Sequence, residues 1–476
     1  MSPLPRSTVF YGLVINPQTL SSYQALPNCL LCVSPFGDID WIEEDIAASM
    51  VQDAMAQKGS LDADLVELKR GEFIMPGFVD THTHGPQFPN IGSGQQHELL
   101  DWLRETTFPM EAKYADVQFA RRAYDATVKR IINSGTTTCC YYGSLHLEAT
   151  KALAEIVHAY GQRAFVGKCN MNRDSPVDYI EPSVEASIAA TTALIAHIRS
   201  LPDLNSPALV QPVLTPRFAI SCTPPLLSSL GSLAREDPTL LVQTHIGENR
   251  SEIAYTKTLF PECRSYADVY DHYGLLGRRT VLAHAVYLEE EEVQLIKSRE
   301  AGISHCPTSN FNLRSGVCRV GELLDRGIKI GLGTDVSGGY SQSILTEIKH
   351  ASTASKIIQL QSPTTGDIPS SATFANRQLP LATLLHLATL GGAQVCDLQS
   401  RTGSFAPGKA FDALLVSVNS TVGNPGLWGV DQDAALGIQT AAPNEMLERF
   451  FFTGDDRNIR RVYVQGKWIG GAEQRR

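Results

Sequence analysis

Between about residue 74 and residue 335, short apolar runs alternate with longer stretches whose apolar positions recur at helical spacing. This is the pattern of repeated βα units around a parallel sheet. Eight runs can be counted: IMPGFVDTHTH ending at His84, GTTTCCYY from Gly135, RAFVGKC ending at Cys169 and ALVQPVLTPRF ending at Phe218, then LLVQTHIGE through Glu248, TVLAHA from Thr280, GISHC ending at Cys306 and IKIGLGTD ending at Asp335. Amphipathic stretches such as ADVQFARRAYDATVKRIINSG, HLEATKALAEIVHAYG and EEEEVQLIKSREAG separate them, with glycine where a helix would stop. The acidic run Glu289 to Glu292 reads as a solvated helix start. Eight parallel strands with helices outside predict an α/β fold, a (β/α)8 TIM-type barrel over residues 74–405.

The two ends break this rhythm. Residues 1–73, and residues 406–476 with GSFAPGKAFDALLVSV at their edge and RRVYVQGKWIGG near the terminus, read as strands and turns. They predict one small β-sandwich assembled from both termini, reached from the barrel through the helical stretch LPLATLLHLATLGGAQV. TTGDIPSSAT, near residue 370, is the best loop candidate.

A chain of 476 residues with 43% hydrophobic content can bury a large core, and a barrel of roughly 250 residues or more forms one unit. The net charge of -10, with no dense Lys/Arg block, argues against nucleic acid as a partner. No run approaches the ~18 apolar residues of a membrane span, and the N-terminus has no signal-peptide core, so a cytoplasmic protein is expected. Ten cysteines are too dilute for a disulfide scaffold and read as reduced core residues. Cys29 and Cys32 form a CxxC, but NCLLCV reads as a strand, in which i and i+3 point to opposite faces and cannot share a metal.

The candidate chemistry lies at the ends of the strand runs. His82 and His84, two apart on the first, face the same way and can share one metal ion. His245 on the fifth, His284 on the sixth and Asp335 on the eighth fall at the C-terminal rim, where barrel enzymes keep their chemistry. A carboxylate closing IKIGLGTD is costly without a partner, and a cation supplies one. Two other metal sites fit poorly. His146-Leu147-Glu148 has the HxE spacing of cytidine-deaminase sites, but the one CxxC precedes it, lacks the adjacent proline, and HLE opens a helix. A two-metal site with a bridging lysine on the fourth strand lacks that lysine; Lys168, on the third, is expected to pair with a carboxylate near the rim.

PGFVDTHTH, QTHIGE, LAHA and GLGTD together resemble the amidohydrolase superfamily, in its single-metal deaminase branch. PQFPNIGSG, DWLRETTFPMEAKYAD, LTPRF and TGDDRNIRRVYVQGKW extend the likeness over most of the chain and are similar to the guanine deaminases within it. The resemblance implies one zinc per chain held by His82, His84, His245 and Asp335, with His284 beside them, and a homodimer that hydrolyses guanine to xanthine and ammonia. Zinc lowers the pKa of water from ~15.7 towards ~7. Asp335 would take the water proton, His284 would stabilise developing charge, and Glu248 would carry a proton to the ring nitrogen and help ammonia leave. The plainer reading of Glu248 is a helix-start glutamate, because HIGENRSEI has that character. Gln87 offers an amide donor and acceptor, Arg217 guanidinium donors for a carbonyl and ring nitrogen, and Phe218 a ring to pack on the purine. By residue type alone, Arg217 is equally an ion-pair partner and Phe218 equally core. Another aminated heterocycle as substrate, or a non-catalytic scaffold barrel, are the alternatives; the complete ligand set and Glu248 argue against the scaffold.

Overall fold

The computed structural model describes residues 6–203, 207–362, 373–437 and 442–475. Eight parallel strands, hydrogen-bonded in sequence order, form a nearly closed barrel: Phe78–His84, Thr136–Gly143, Arg163–Asn170, Val210–Pro216, Leu241–Ile246, Thr280–His284, Gly302–His305 and Lys329–Leu332. Six of them are buried at every position, which is why they appear in the sequence as continuous apolar runs and not as alternating ones. Helices cover the outside. Asp116 caps Val117–Asn133 by accepting from the Gln118 and Phe119 amides, and Gly161, in the left-handed region at φ 73°, ends Leu147–Tyr160.

The first and eighth strands close the barrel at its C-terminal rim. Thr81 Oγ1 donates to the Leu332 carbonyl (2.9 Å), the Asp335 amide to the His82 carbonyl (2.8 Å), and the His84 amide to the Val336 carbonyl (3.1 Å). At the opposite end the helical stretch Leu381–Val395 does more than lead away from the barrel. Its last turns, with Ala393 and Val395, plug the floor against Val79, Cys140, Phe165 and Val213.

The second sheet has eight strands, five from the N-terminal part and three from the C-terminal part. Ala413–Ser417 pairs antiparallel with Glu72–Pro76 and so joins the two ends of the chain, around a core that includes Phe10, Ile74, Phe411 and Tyr463. This fits the expected sandwich. Cys29 and Cys32 lie on one strand but belong to different core clusters on its two faces, and all ten cysteines are free.

Four details differ from the sequence reading or fall outside it. The run IMPGFVDTHTH is two strands, not one: Ile74 to Pro76 belong to the sandwich sheet, past the boundary expected at residue 73, and the chain changes sheets at Gly77. A Cβ at Gly77 would stand 2.1 Å from Thr137 Cγ2, so the close approach of the two strands requires glycine. The C-terminal part also contains a helix, Pro443–Thr453, whose Phe450 packs on Phe73 and Phe78. Glu292 is buried, not solvated, because its carboxylate accepts from the Glu289 and Ala267 amides. TTGDIPSSAT lies, except for Thr373, outside the described residues.

A buried ion pair fastens the two sheets together. Arg163, opening the third barrel strand, donates from Nε to Asp412 Oδ2 (2.7 Å) and from Nη2 to Oδ1 (3.3 Å), and both side chains are at most 1% exposed. Removing one partner strands a charge with no route to water. Asp412→Ala is therefore expected to destabilise the fold by about 3 kcal/mol, read as a fall in the urea midpoint at unchanged slope. A midpoint within experimental error of wild type would show that Arg163 finds another partner.

Candidate metal centre and substrate cleft

The closing seam of the barrel carries the site. Asp80, inside the FVDTHTH motif, accepts from Thr334 Oγ1 (2.6 Å), the Thr334 amide (3.0 Å) and the His82 amide (3.2 Å), and thereby fixes the first strand to the eighth just below the ligand-bearing residues. Burial raises its pKa to about 7, against the lowering effect of those hydrogen bonds. The sequence reading gave Asp80 no role, because Thr334, which ties it to the eighth strand, lies 254 residues away.

Five predicted residues converge above it. Asp335 Oδ1 is 3.0 Å from His82 Nε2 and 3.4 Å from His84 Nε2, and His84 Nε2 is 3.2 Å from His245 Nε2. His82, His245, His284 and Asp335 each offer a ligand atom within 4.8 Å of the others. In this set His284 stands where the expected ligand set had His84, while His84 remains in contact with it. His284 and Asp335 have φ of 74° and 45°, rare for residues with a side chain, and these turns aim both groups over the barrel mouth.

The donor set fits a metal ion. His245 Nδ1 donates to the Arg217 carbonyl (2.5 Å) and His284 Nδ1 to Asn310 Oδ1 (3.0 Å), so each Nε2 is left as the free nitrogen facing the site. His82 Nε2 and His284 Nε2 are buried and make no hydrogen bond of good geometry, although carboxylate oxygens of Asp335 and Glu248 stand close by, and a cation among these atoms would take the nitrogen lone pairs. Burial holds His82, His84 and His245 below the usual imidazole pKa, in the neutral form a metal requires. Asp335 is also buried, which would raise its pKa, but the surrounding imidazoles of His82, His284 and His84 hold it below the normal carboxylate range.

Glu248 lies beside this cluster and outside the following helix. Asn249 caps Arg250–Leu259, and Glu252, not Glu248, closes the capping box, its Oε2 accepting from the amides of Glu248 and Asn249. The Glu248 carboxyl is thus free of helix duty. Its Oε2 is 3.5 Å from His284 Nε2, and its Oε1 accepts from Ser315 Oγ (3.1 Å). Burial raises its pKa to about 7; His284 lowers it, and Asp335 and Glu252 raise it. Burial disfavours the cation on His284, yet the Glu248 and Asp335 carboxylates bring its pKa above the usual value.

A cleft opens from the cluster, with His84, His245, Glu248 and Asp335 on one side. Gln87, Arg217 and Phe218 line it as expected, Gln87 from the turn Gly85–Asn90 and the other two from the end of the fourth strand. The Phe218 ring stands perpendicular to that of His245 at 5.8 Å. Leu99, Trp102, Leu103 and Leu313 also line the cleft and were missed; among them only Trp102, a large aromatic in a polar segment, carried a signal in the sequence. Behind the cleft Glu111, also missed, binds both Arg217 and Gln87. Lys168 takes no part in the metal cluster: its Nζ donates to Glu181 Oε1 (2.5 Å) and to the Cys169 carbonyl (3.1 Å).

Comparison with known proteins agrees with this geometry. The model of the amidohydrolase family matches residues 73–469. A probable guanine deaminase of Schizosaccharomyces pombe is 44% identical over 98% of this chain and 84% of its own length. The guanine deaminase of Mus musculus is 39% identical over 98% of this chain and 97% of its own. Among solved structures, guanine deaminase from C. acetobutylicum with guanine bound in its active site superposes with a TM-score of 0.83 at 32% identity, covering 97% of this chain and all of that one.

Proposed function

The chain belongs to the amidohydrolase family, and from that premise we propose that it is a zinc-dependent enzyme hydrolysing guanine to xanthine and ammonia. The observation that carries this reading is a buried cluster of imidazoles and one carboxylate opening directly onto a cleft lined by Arg217, Gln87 and Phe218. The relatives that align with nearly all of this chain are a probable guanine deaminase and a guanine deaminase. His82, His84, His245 and Asp335 would hold the zinc, with His284 within reach of the same ion.

Bound zinc acidifies water from ~15.7 towards ~7, making a nucleophile available at neutral pH. The chain's own groups do the rest. Asp335 accepts the water proton, while the His284 side chain, oriented by Asn310, faces the charge that develops as C2 is attacked. Glu248, with a pKa near 7 and within 3.5 Å of His284, delivers a proton to the ring nitrogen beside C2, takes up the proton of the new C2 hydroxyl and passes it to the departing amino group, and the proton held by Asp335 then restores it. Arg217 and Gln87 present N–H donors to the oxo edge of the purine, and Phe218 packs on its ring.

No described helix is long and apolar enough to cross a membrane. A cytoplasmic homodimer without nucleic-acid or membrane partners completes the proposal. Protein purified without added metal should contain about one equivalent of zinc per chain by elemental analysis and release ammonia from guanine in preference to adenine, adenosine or aminotriazines. Two equivalents, both needed for activity, would overturn the single-metal reading; preferred turnover of another heterocycle would overturn the substrate.

A further inference from the structure

Resting on guanine as the substrate, we infer that Glu111 is a positioning residue that sets purine specificity, through its simultaneous hold on Arg217 and Gln87. Glu111 lies in the short helix Phe108–Ala112 and is completely buried. Its Oε2 accepts from Arg217 Nη1 (2.6 Å), and its Oε1 from both Arg217 Nη2 (3.1 Å) and Gln87 Nε2 (2.7 Å). Three N–H donors therefore end on one carboxylate.

Hydrogen-bond inventory fixes the outcome. A carboxylate only accepts, so it forces the Gln87 nitrogen, not its oxygen, to face Glu111. The Gln87 oxygen is then left to accept from the Ser337 amide (3.0 Å), and the amide is pinned at both ends. The guanidinium is likewise locked as a fork, and its buried Nε has no partner. What remains is donors: Arg217 Nε, the second N–H of its Nη2 and the second N–H of Gln87, the other N–H of Nη1 lying against Cys169 Sγ. A wall of donors suits an oxo oxygen and ring nitrogen and rejects an amino group or a bare C–H in their place. Without Glu111 the Gln87 amide is held only at its Ser337 end and Arg217 is no longer held.

Glu111→Gln tests this with little change of shape. Its amide has one accepting oxygen, so its NH2 must face a donor of either Arg217 or Gln87. The variant should remain folded by circular dichroism and keep its metal. Its KM for guanine is expected to rise by about 10-fold or more with a much smaller fall in kcat, the pattern of lost ground-state binding. Its preference for guanine over 2-aminopurine should shrink by about 10-fold, and xanthine binding by calorimetry should weaken in parallel. A fall in kcat alone, equal for both substrates, would mean that Glu111 serves only the fold and would overturn the inference. Failure of the wild-type enzyme to prefer guanine would instead overturn the substrate reading. If Glu111→Gln does not fold alone, it can be placed in the Arg217→Met background, where no cation is stranded. There the single amide oxygen can still accept from Gln87, so no further loss of preference is expected, and a further 10-fold loss would overturn the inference.

Discussion

Glu248→Gln is expected to lower kcat by about 10²-fold to 10⁴-fold, the range for removal of a general acid and base, while metal content and stability stay close to wild type. The amide keeps the shape of the side chain and can still meet Ser315 Oγ, but it cannot give a proton to the ring nitrogen or to the leaving group. The structure removes the main competing explanation. The helix that follows is capped by Asn249 and Glu252, so the substitution costs no helix energy and a loss of rate cannot be attributed to an unravelled helix start. Single-turnover kinetics with guanine, alongside elemental analysis, make the measurement. A variant that keeps the wild-type rate would show that Glu248 is a bystander and direct the search for the proton carrier to His284.

Selectivity should be of comparable size. Guanine is expected to exceed 2-aminopurine, which lacks the oxo group, by at least ~10³ in kcat/KM, since a site built on buried hydrogen bonds leaves them unpaired with the wrong ligand. Arg217→Met should remove most of that margin, chiefly by lowering guanine turnover, at a cost of about 3 kcal/mol in transition-state binding. Methionine is preferred to alanine here because Arg217 is 1% exposed and its loss opens a cavity beside Phe108. The test is the ratio of ammonia release from the two purines in both proteins. A folded, metal-loaded variant with the wild-type ratio would make Arg217 a structural partner of Glu111 and nothing more.

Much of this was legible in the chain. Parallel strands buried on both faces must be apolar throughout, so eight runs stood out, and each polar residue at a run's end, such as His245, His284 or Asp335, stood out against them. The two-residue spacing of His82 and His84 guaranteed a shared direction, and the i,i+3 spacing of Cys29 and Cys32 guaranteed opposite ones. Local rules of this kind need no tertiary knowledge.

Other features depended on distant parts of the chain meeting. Nothing near Glu111 announces that its carboxylate will end on Arg217, 106 residues later, or that Asp80 will bind Thr334 across the closing seam. HIGENRSEI could not say which of its glutamates caps the helix, because that choice depends on where Gly247, at φ 56°, turns the chain away from the strand. The continuous apolar run before His82 concealed a change of sheet at Gly77, since strands of the sandwich and of the barrel are equally apolar when buried. The sequence by itself determined which runs form the barrel strands and which imidazoles and carboxylates stand at their ends as candidates for metal-binding and acid–base chemistry, because periodicity and residue type are local properties. Which buried polar group pairs with which was decided only by the tertiary structure, because hydrogen-bond satisfaction inside a barrel is settled by the closure of strands that lie far apart in the chain.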